Sequence, residues 1–133
     1  MTIIEQTKDN LSDWKGSFLL KETVKKDLQS NPFGIYLLAL EEKEVVGYLY
    51  YSRIYERVEI NQIEVRLDKR SQGIASTLLN TLIQKEQKDI TLEVKENNIP
   101  ALALYQKFGF ERKAIRKGYY QGIDGILMER KER

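Results

Sequence analysis

The chain has 133 residues, enough for one domain with one core and not two. Its apolar share of 41%, charged share of 32% and net charge of +2 read as a soluble, cytoplasmic globular protein; no run reaches membrane-spanning length, Met1 to Asn10 carries no signal-peptide core, and the charge is too small to argue for nucleic acid. The absence of cysteine and histidine excludes disulfides, thiolate zinc sites, a cysteine nucleophile and imidazole chemistry, so proton transfer falls to Glu, Asp, Tyr, Lys or water and no metal is expected.

Thr2 to Gln6 is a short apolar segment, predicted as an edge strand. Asn10-Leu11-Ser12-Asp13-Trp14 carries several caps and predicts a helix start. Lys21 to Ser30 is helix-forming, with Val24 and Leu28 on one face. Asn31-Pro32-Phe33-Gly34 is a breaker cluster and predicts a turn. Ile35 to Leu40 predicts a strand, Glu41 to Glu44 a hairpin loop, and Val45 to Ile54 a second strand filled with aromatics at Tyr48, Tyr50 and Tyr51. Val58 to Val65 predicts the fourth strand of the sheet, with a defect. Val58 and Ile60 share one face and Ile63 and Val65 share a face, but the step from Ile60 to Ile63 is odd. A period of two cannot absorb that step without one extra residue, so a β-bulge is predicted near Asn61-Gln62. The alternative is that Ile60 or Ile63 faces outward.

The stretch from Val65 to Ala75 organises the rest. An apolar strand ends in the basic loop Arg66-Leu67-Asp68-Lys69-Arg70-Ser71-Gln72, then Gly73-Ile74-Ala75 opens an amphipathic helix that runs on through Ser76 to Lys88 with Ile74, Leu78, Leu79, Leu82 and Ile83 on its apolar stripe. Strand, glycine turn and helix N-terminus make an anion site: free N–H groups and the positive end of the helix dipole face one point. Gly73 has no Cβ to hold a phosphate off, and Lys69 and Arg70 add charge. A pyrophosphate-bearing cofactor is the reading. It is neither a nucleotide-triphosphate loop nor a G-x-G-x-x-G turn, since no Gly-Lys-Ser/Thr and no second glycine are present.

Ile90 to Val94 alternates cleanly, with Ile90, Leu92 and Val94 on one face and Thr91, Glu93 and Lys95 on the other. Asn97-Asn98 caps a helix with Pro100 in its first turn, an apolar side from Ala101 to Phe108, and a stop at Gly109. Phe110 to Arg116 and Ile123 to Glu129 are two final strands joined by a loop from Lys117 to Gly122. The order predicts an α/β fold with a mixed central sheet and helices on both faces.

The pattern Arg70-x-x-Gly73-x-Ala75 resembles the pyrophosphate-binding signature of the GNAT superfamily of N-acetyltransferases. Thr91 to Asn98 with Ala101 to Phe110 is similar to the family's L-E-V-x-x-x-N-x-x-A-x-x-L-Y-x-x-x-G-F block. Ile115 to Tyr120, Leu127-Met128, Asn31-Pro32-Phe33, Val45 to Tyr48 and Ile60 to Val65 resemble the bacterial subfamily that acetylates the N-terminal alanine of a small-subunit ribosomal protein. The first 30 residues lack the family's aromatic-Pro-Trp-Ser segment, with Trp14 and Phe18 nearby. The resemblance implies the single-domain GNAT fold, acetyl-coenzyme A as cosubstrate and an acceptor peptide N-terminus as partner. It implies a cofactor site at Ile63, Val65, Arg70, Ser71, Gln72, Gly73, Ile74, Ala75 and Asn98, with Glu93 as base and Tyr105 as acid. Read from the residues alone, Glu93 is a solvated carboxylate paired with Lys95 or a neighbour, Tyr105 packs in the core, and Asn98 is a plain cap. The same residues leave open a small amine or lysine acceptor, a non-catalytic coenzyme A module, and an RNA-binding face on Arg112, Lys113, Arg116, Lys117, Tyr119 and Tyr120.

Overall fold

Along Ile35 to Leu40, Ile35, Leu37 and Ala39 belong to one apolar core and Tyr36, Leu38 and Leu40 to another, and all are buried. A strand buried on both faces must lie inside a sheet covered on both sides. The computed structural model of residues 1–133 has that architecture. The strands are β1 (Thr2–Gln6), β2 (Gly34–Glu41), β3 (Glu44–Ile54), β4 (Arg57–Val65), β5 (Asp89–Lys95), β6 (Glu111–Tyr120) and β7 (Ile123–Arg130). The helices are α1 (Lys21–Ser30), α2 (Ile74–Glu86) and α3 (Ile99–Lys107). The seven strands form one mixed sheet in the order β1-β2-β3-β4-β5-β7-β6. Only β4 and β5 pair in parallel, across the α2 crossover. On one face α2 and α3 bury Leu78, Leu79, Leu82, Leu102 and Tyr105 against the sheet; on the other, Val24 and Leu28 of α1 pack with Trp14 and Leu19 over Tyr36, Leu38 and Tyr48. No helix is long and apolar enough to cross a membrane.

Two expectations are corrected. No helix starts at Asn10 to Trp14. Instead the chain wraps the buried side chain of Gln6: its Oε1 accepts from the Ser12 N–H (2.7 Å) and the Trp14 indole (3.1 Å), and its Nε2 donates to Ser12 Oγ (3.1 Å). Satisfying that buried amide outweighs local capping preference. The six-residue loop from Lys117 to Gly122 is also shorter than expected. β6 continues to Tyr120, which pairs with Ile123, and only Gln121 and Gly122 turn, both with positive φ (51° and 92°). Two central residues of positive φ match the strand twist of a two-residue hairpin.

Glu86 closes α2 against β3. Its carboxylate accepts from the buried Tyr51 hydroxyl (2.6 Å) and from Arg53 Nε and Nη2 (3.1 and 3.0 Å). Burial pushes the Glu86 carboxyl up, but the bonds from Arg53 and Tyr51 outweigh it and hold the group below the usual carboxylate range. A lowered folded value adds stability above the unfolded pKa of about 4.3, and that stability is lost as pH falls through the folded value. Glu86→Ala orphans the Tyr51 hydroxyl and destabilises the protein by about 1–3 kcal/mol at pH 7. Urea melts check this, and the gap to wild type narrows below about pH 4.

Candidate active site

The bulge sits where the phase of β4 required it. Tyr50 pairs with Gln62 and Tyr51 with Ile60, so Asn61 is the extra residue. Beyond it β4 leaves β5: Arg57, Val58 and Glu59 pair with Asp89, Ile90 and Thr91, and no residue after Glu59 does. Antiparallel strands alternate the direction of their backbone groups. Arg66 donates its N–H to Val46 O on β3 (2.8 Å), so the N–H and C=O groups of Val65 and Ile63 point the other way, into the gap. The Val65 carbonyl there accepts from Arg70 Nε (3.1 Å).

The gap opens into a cleft of about 520 Å³ on the α2–α3 side. Ile63, Val65, Arg70, Ser71, Gly73, Ile74, Ala75, Asn98 and Tyr105 all line it, as do Lys69 and Leu104. Of the residues predicted for the site, Gln72 and Glu93 do not. The anion geometry is present. Gly73 is the N-cap of α2 at φ 81°, with no side-chain cap and no acidic residue in the first turn. The Thr77 N–H bonds back to Gly73 O (3.0 Å), and the N–H groups of Ile74, Ala75 and Ser76 precede the first acceptor the helix can offer. A Cβ built at Gly73 meets nothing within 4 Å, so the space over the turn is open to a ligand. Lys69 is paired with Glu41 (3.1 Å), and the half-exposed Arg70 guanidinium lies beside the turn, 3.9 Å from the Glu64 carboxylate.

Asn98 caps α3, accepting from the Ala101 N–H (3.3 Å), and lines the cleft as well. Tyr105 is buried against Phe110 with its ring in the core, and burial pushes its hydroxyl up to about 12. It therefore stays protonated through the neutral range.

Glu93 points to the opposite face of the sheet from Tyr105, at the end that α1 leaves bare. Its carboxylate accepts from Tyr120 (2.7 Å, Oε1) and pairs with Arg116 Nε (3.0 Å, Oε2). The partner is thus not Lys95 but two residues of β6. The bond to Glu93, with burial, pushes the Tyr120 hydroxyl up to about 12. Sequence reasoning grouped Arg116 and Tyr120 with a basic face and did not join them to Glu93. The signal was the pairing of β5 with β7 and of β7 with β6, which sets Lys95, Gly125 and Arg116 in one row beside Glu93. The Glu93 carboxylate offsets the charge of Arg116 within the basic stretch.

The family model of the acetyltransferase (GNAT) family matches residues 4–110. The chain belongs to the GNAT family. The match reaches upstream through the segment around Gln6 and Trp14, further than the sequence motifs did. Among GNAT relatives, a Bacillus subtilis protein provisionally named ribosomal protein bS18-alanine N-acetyltransferase is 30% identical over 114 residues, covering 81% of this chain and 76% of that protein. An N-alpha-acetyltransferase of Saccharolobus solfataricus is 34% identical over 113 residues, covering 71% and 68%. The crystal structure of a GNAT acetyltransferase from Elizabethkingia anophelis with acetyl-CoA bound superposes with a TM-score of 0.77 at 25% identity, over 98% of this chain and 97% of that one. The mixed α/β sheet with helices on both faces is the GNAT fold, and the chain is an N-acetyltransferase.

Proposed function

We propose that this GNAT enzyme moves the acetyl group of acetyl-coenzyme A directly to the α-amine of a protein N-terminus, with an alanine-first ribosomal protein as acceptor. One observation carries the reading. The gap between β4 and β5 joins two faces of the sheet, with the anion turn and Tyr105 on one side and Glu93 on the other. Two substrates entering from opposite faces meet at the splay.

The turn from Arg70 to Ala75, with Ser71, Gln72 and Gly73 at its bend, takes the pyrophosphate on backbone N–H groups and the α2 dipole. Ile63 offers its N–H and C=O, and Val65 its N–H, to the acyl-pantetheine arm, and Asn98 borders the same path. The Val65 N–H is placed to polarise the thioester carbonyl. The acceptor nitrogen must lose a proton before it attacks; Glu93 takes that proton through the gap, directly or by a water. As the C–S bond breaks, the Tyr105 hydroxyl, at about 12, acts as the acid by donating a hydrogen bond to the departing thiolate; full transfer to a group of ordinary pKa about 8.5 is uphill, so the thiolate leaves stabilised by that bond and takes its proton from water, and Tyr105 keeps its own. No covalent enzyme intermediate is needed.

An α-amine has a pKa of about 7.7–8.0 and a lysine about 10.4. That difference, about 2.5 units or 3.4 kcal/mol, favours the N-terminus when one carboxylate is the base. A competition assay tests the acceptor. An alanine-first peptide gives a higher kcat/KM than either the same peptide N-blocked and carrying lysine, or spermidine. A higher value for either of the last two moves the acceptor to lysine or to small amines.

A further inference from the structure

The cluster around Glu93 holds more than a base. Both carboxylate oxygens are engaged, Oε1 by the Tyr120 hydroxyl and Oε2 by Arg116 Nε. The arrangement is seated on bare backbone: a Cβ at Gly125 would lie 3.0 Å from Tyr120 Cε2 and 3.3 Å from the Glu93 carboxyl. The two partners differ in freedom. Tyr120 is pinned by the short turn behind it and by Lys95 over its ring at 5.3 Å. Arg116 is half-exposed on the edge strand β6, with its guanidinium carbon 4.0 Å from the Tyr119 ring centroid. It can leave Glu93 for that ring and water without being buried anywhere else.

A lone carboxylate beside an amine creates a conflict. It draws the ammonium in, but an opposite charge at hydrogen-bond distance favours the protonated amine, which cannot attack. We propose that Arg116 is a positioning residue, a guanidinium that occupies the acceptor ammonium's place on Glu93 and limits how tightly the carboxylate then holds it. The inference rests on Glu93 facing the acceptor, as in the function proposed above. In the free enzyme Arg116 neutralises Glu93 and Tyr120 fixes its rotamer. On acceptor binding the ammonium competes for Oε2, and the guanidinium, still close, shares the carboxylate's charge. The amine is then held less strongly as ammonium and loses its proton at lower pH. The other charged groups on this face are Lys95, over Tyr120; Asp89 and Glu129, which share Lys131 at 3.2 and 3.6 Å; Glu59, 3.5 Å from Arg57; Glu111, 3.9 Å from Lys113; and, across the splay, Glu64, 3.9 Å from Arg70. None of them bonds Glu93.

The test compares wild type, Arg116→Gln and Arg116→Lys with saturating acetyl-coenzyme A and an alanine-first peptide from pH 6 to 9. A half-exposed ion pair is a weak competitor, so the peptide KM of Arg116→Gln falls about two- to fivefold. Its kcat falls as well, and the rise of kcat with pH moves to higher pH, because the bound amine is held as ammonium. Arg116→Lys restores most of both. Alongside, the Arg116 Nε–H signal of the wild type shifts in NMR spectra when the peptide is titrated, but not when its N-acetylated form is. Unchanged KM and pH course in a folded Arg116→Gln protein, or an Nε–H signal indifferent to the peptide, overturns the proposal. Wild-type enzyme that leaves the peptide unmodified counts instead against the α-amine acceptor, and the same readings with spermidine then decide the role of Arg116.

Discussion

Replacing Glu93 with glutamine lowers kcat/KM for an alanine-first peptide by about 10²–10⁴ near neutral pH, the usual worth of a positioned base. Acetyl-coenzyme A affinity, read by calorimetry, stays within about twofold, because Glu93 lies outside the cleft that holds the anion turn. The fold tolerates the change. Glutamine keeps an oxygen for the Tyr120 hydroxyl, and the ion pair it loses joins a half-exposed arginine, worth about 0.2–1 kcal/mol. The separation of effects is what matters. A loss of rate with intact cosubstrate binding and a near-native melt assigns the proton to Glu93. Wild-type turnover in Glu93→Gln sends the proton path elsewhere, to water alone or to another group at the gap.

Gly73→Val has the complementary outcome: acetyl-coenzyme A binding falls about a hundredfold or more while the protein remains folded. Two costs enter, and they are of different size. Valine at a φ of 81° strains the backbone by about 1–2 kcal/mol, the penalty for an L side chain in the left-handed region. No atom within 4 Å of the new Cβ adds a clash in the free protein. The methyl groups instead fill the open space over the turn. Losing two charge-assisted bonds there, at about 1.5 kcal/mol each, amounts to about a hundredfold in affinity. Gly73→Ala separates the terms, since it carries the strain with less bulk and gives an intermediate loss. Undiminished affinity in folded Gly73→Val protein removes the pyrophosphate from this turn.

How far these sites could be read in advance follows from distance along the chain. The anion turn is local: Arg70, Gly73 and Ala75 lie within one bend, and the geometry that serves a phosphate is written in consecutive residues. The bulge was legible for a similar reason, since the odd step from Ile60 to Ile63 is a phase error within one strand, and Asn61 absorbs it. Gln6 defeated the reading of Asn10 to Trp14, because local caps promise a helix and only the folded sheet shows that a buried amide needs those same donors. Glu93 was found by its place on the polar side of its strand, but its neighbours were not. Arg116 and Tyr120 reach it from another strand, through a register that β7 sets. Even the turn between β6 and β7 hid its length, since Gln121 and Gly122 alone reverse the chain where polar residues suggested a longer loop.

The three residue pairs that join β4 to β5 have a consequence for endurance as well as for access. They are the only ladder between the meander β1 to β4 and the β5-β7-β6 half, so the sheet has a seam. An opening along this line breaks few backbone bonds, and faster amide exchange in β4 and β5 of the cosubstrate-free protein than of the bound one is the expected result. A molecule lodged in the splay touches both halves and binds only when they are together. Mass action then adds about 2.7 kcal/mol of stability at a hundredfold excess over Kd. A cosubstrate bound there, as proposed, is in this sense a removable suture: when its supply falls, the enzyme loses its reagent and its reinforcement together, and faster proteolysis of the cosubstrate-free protein is the expected result.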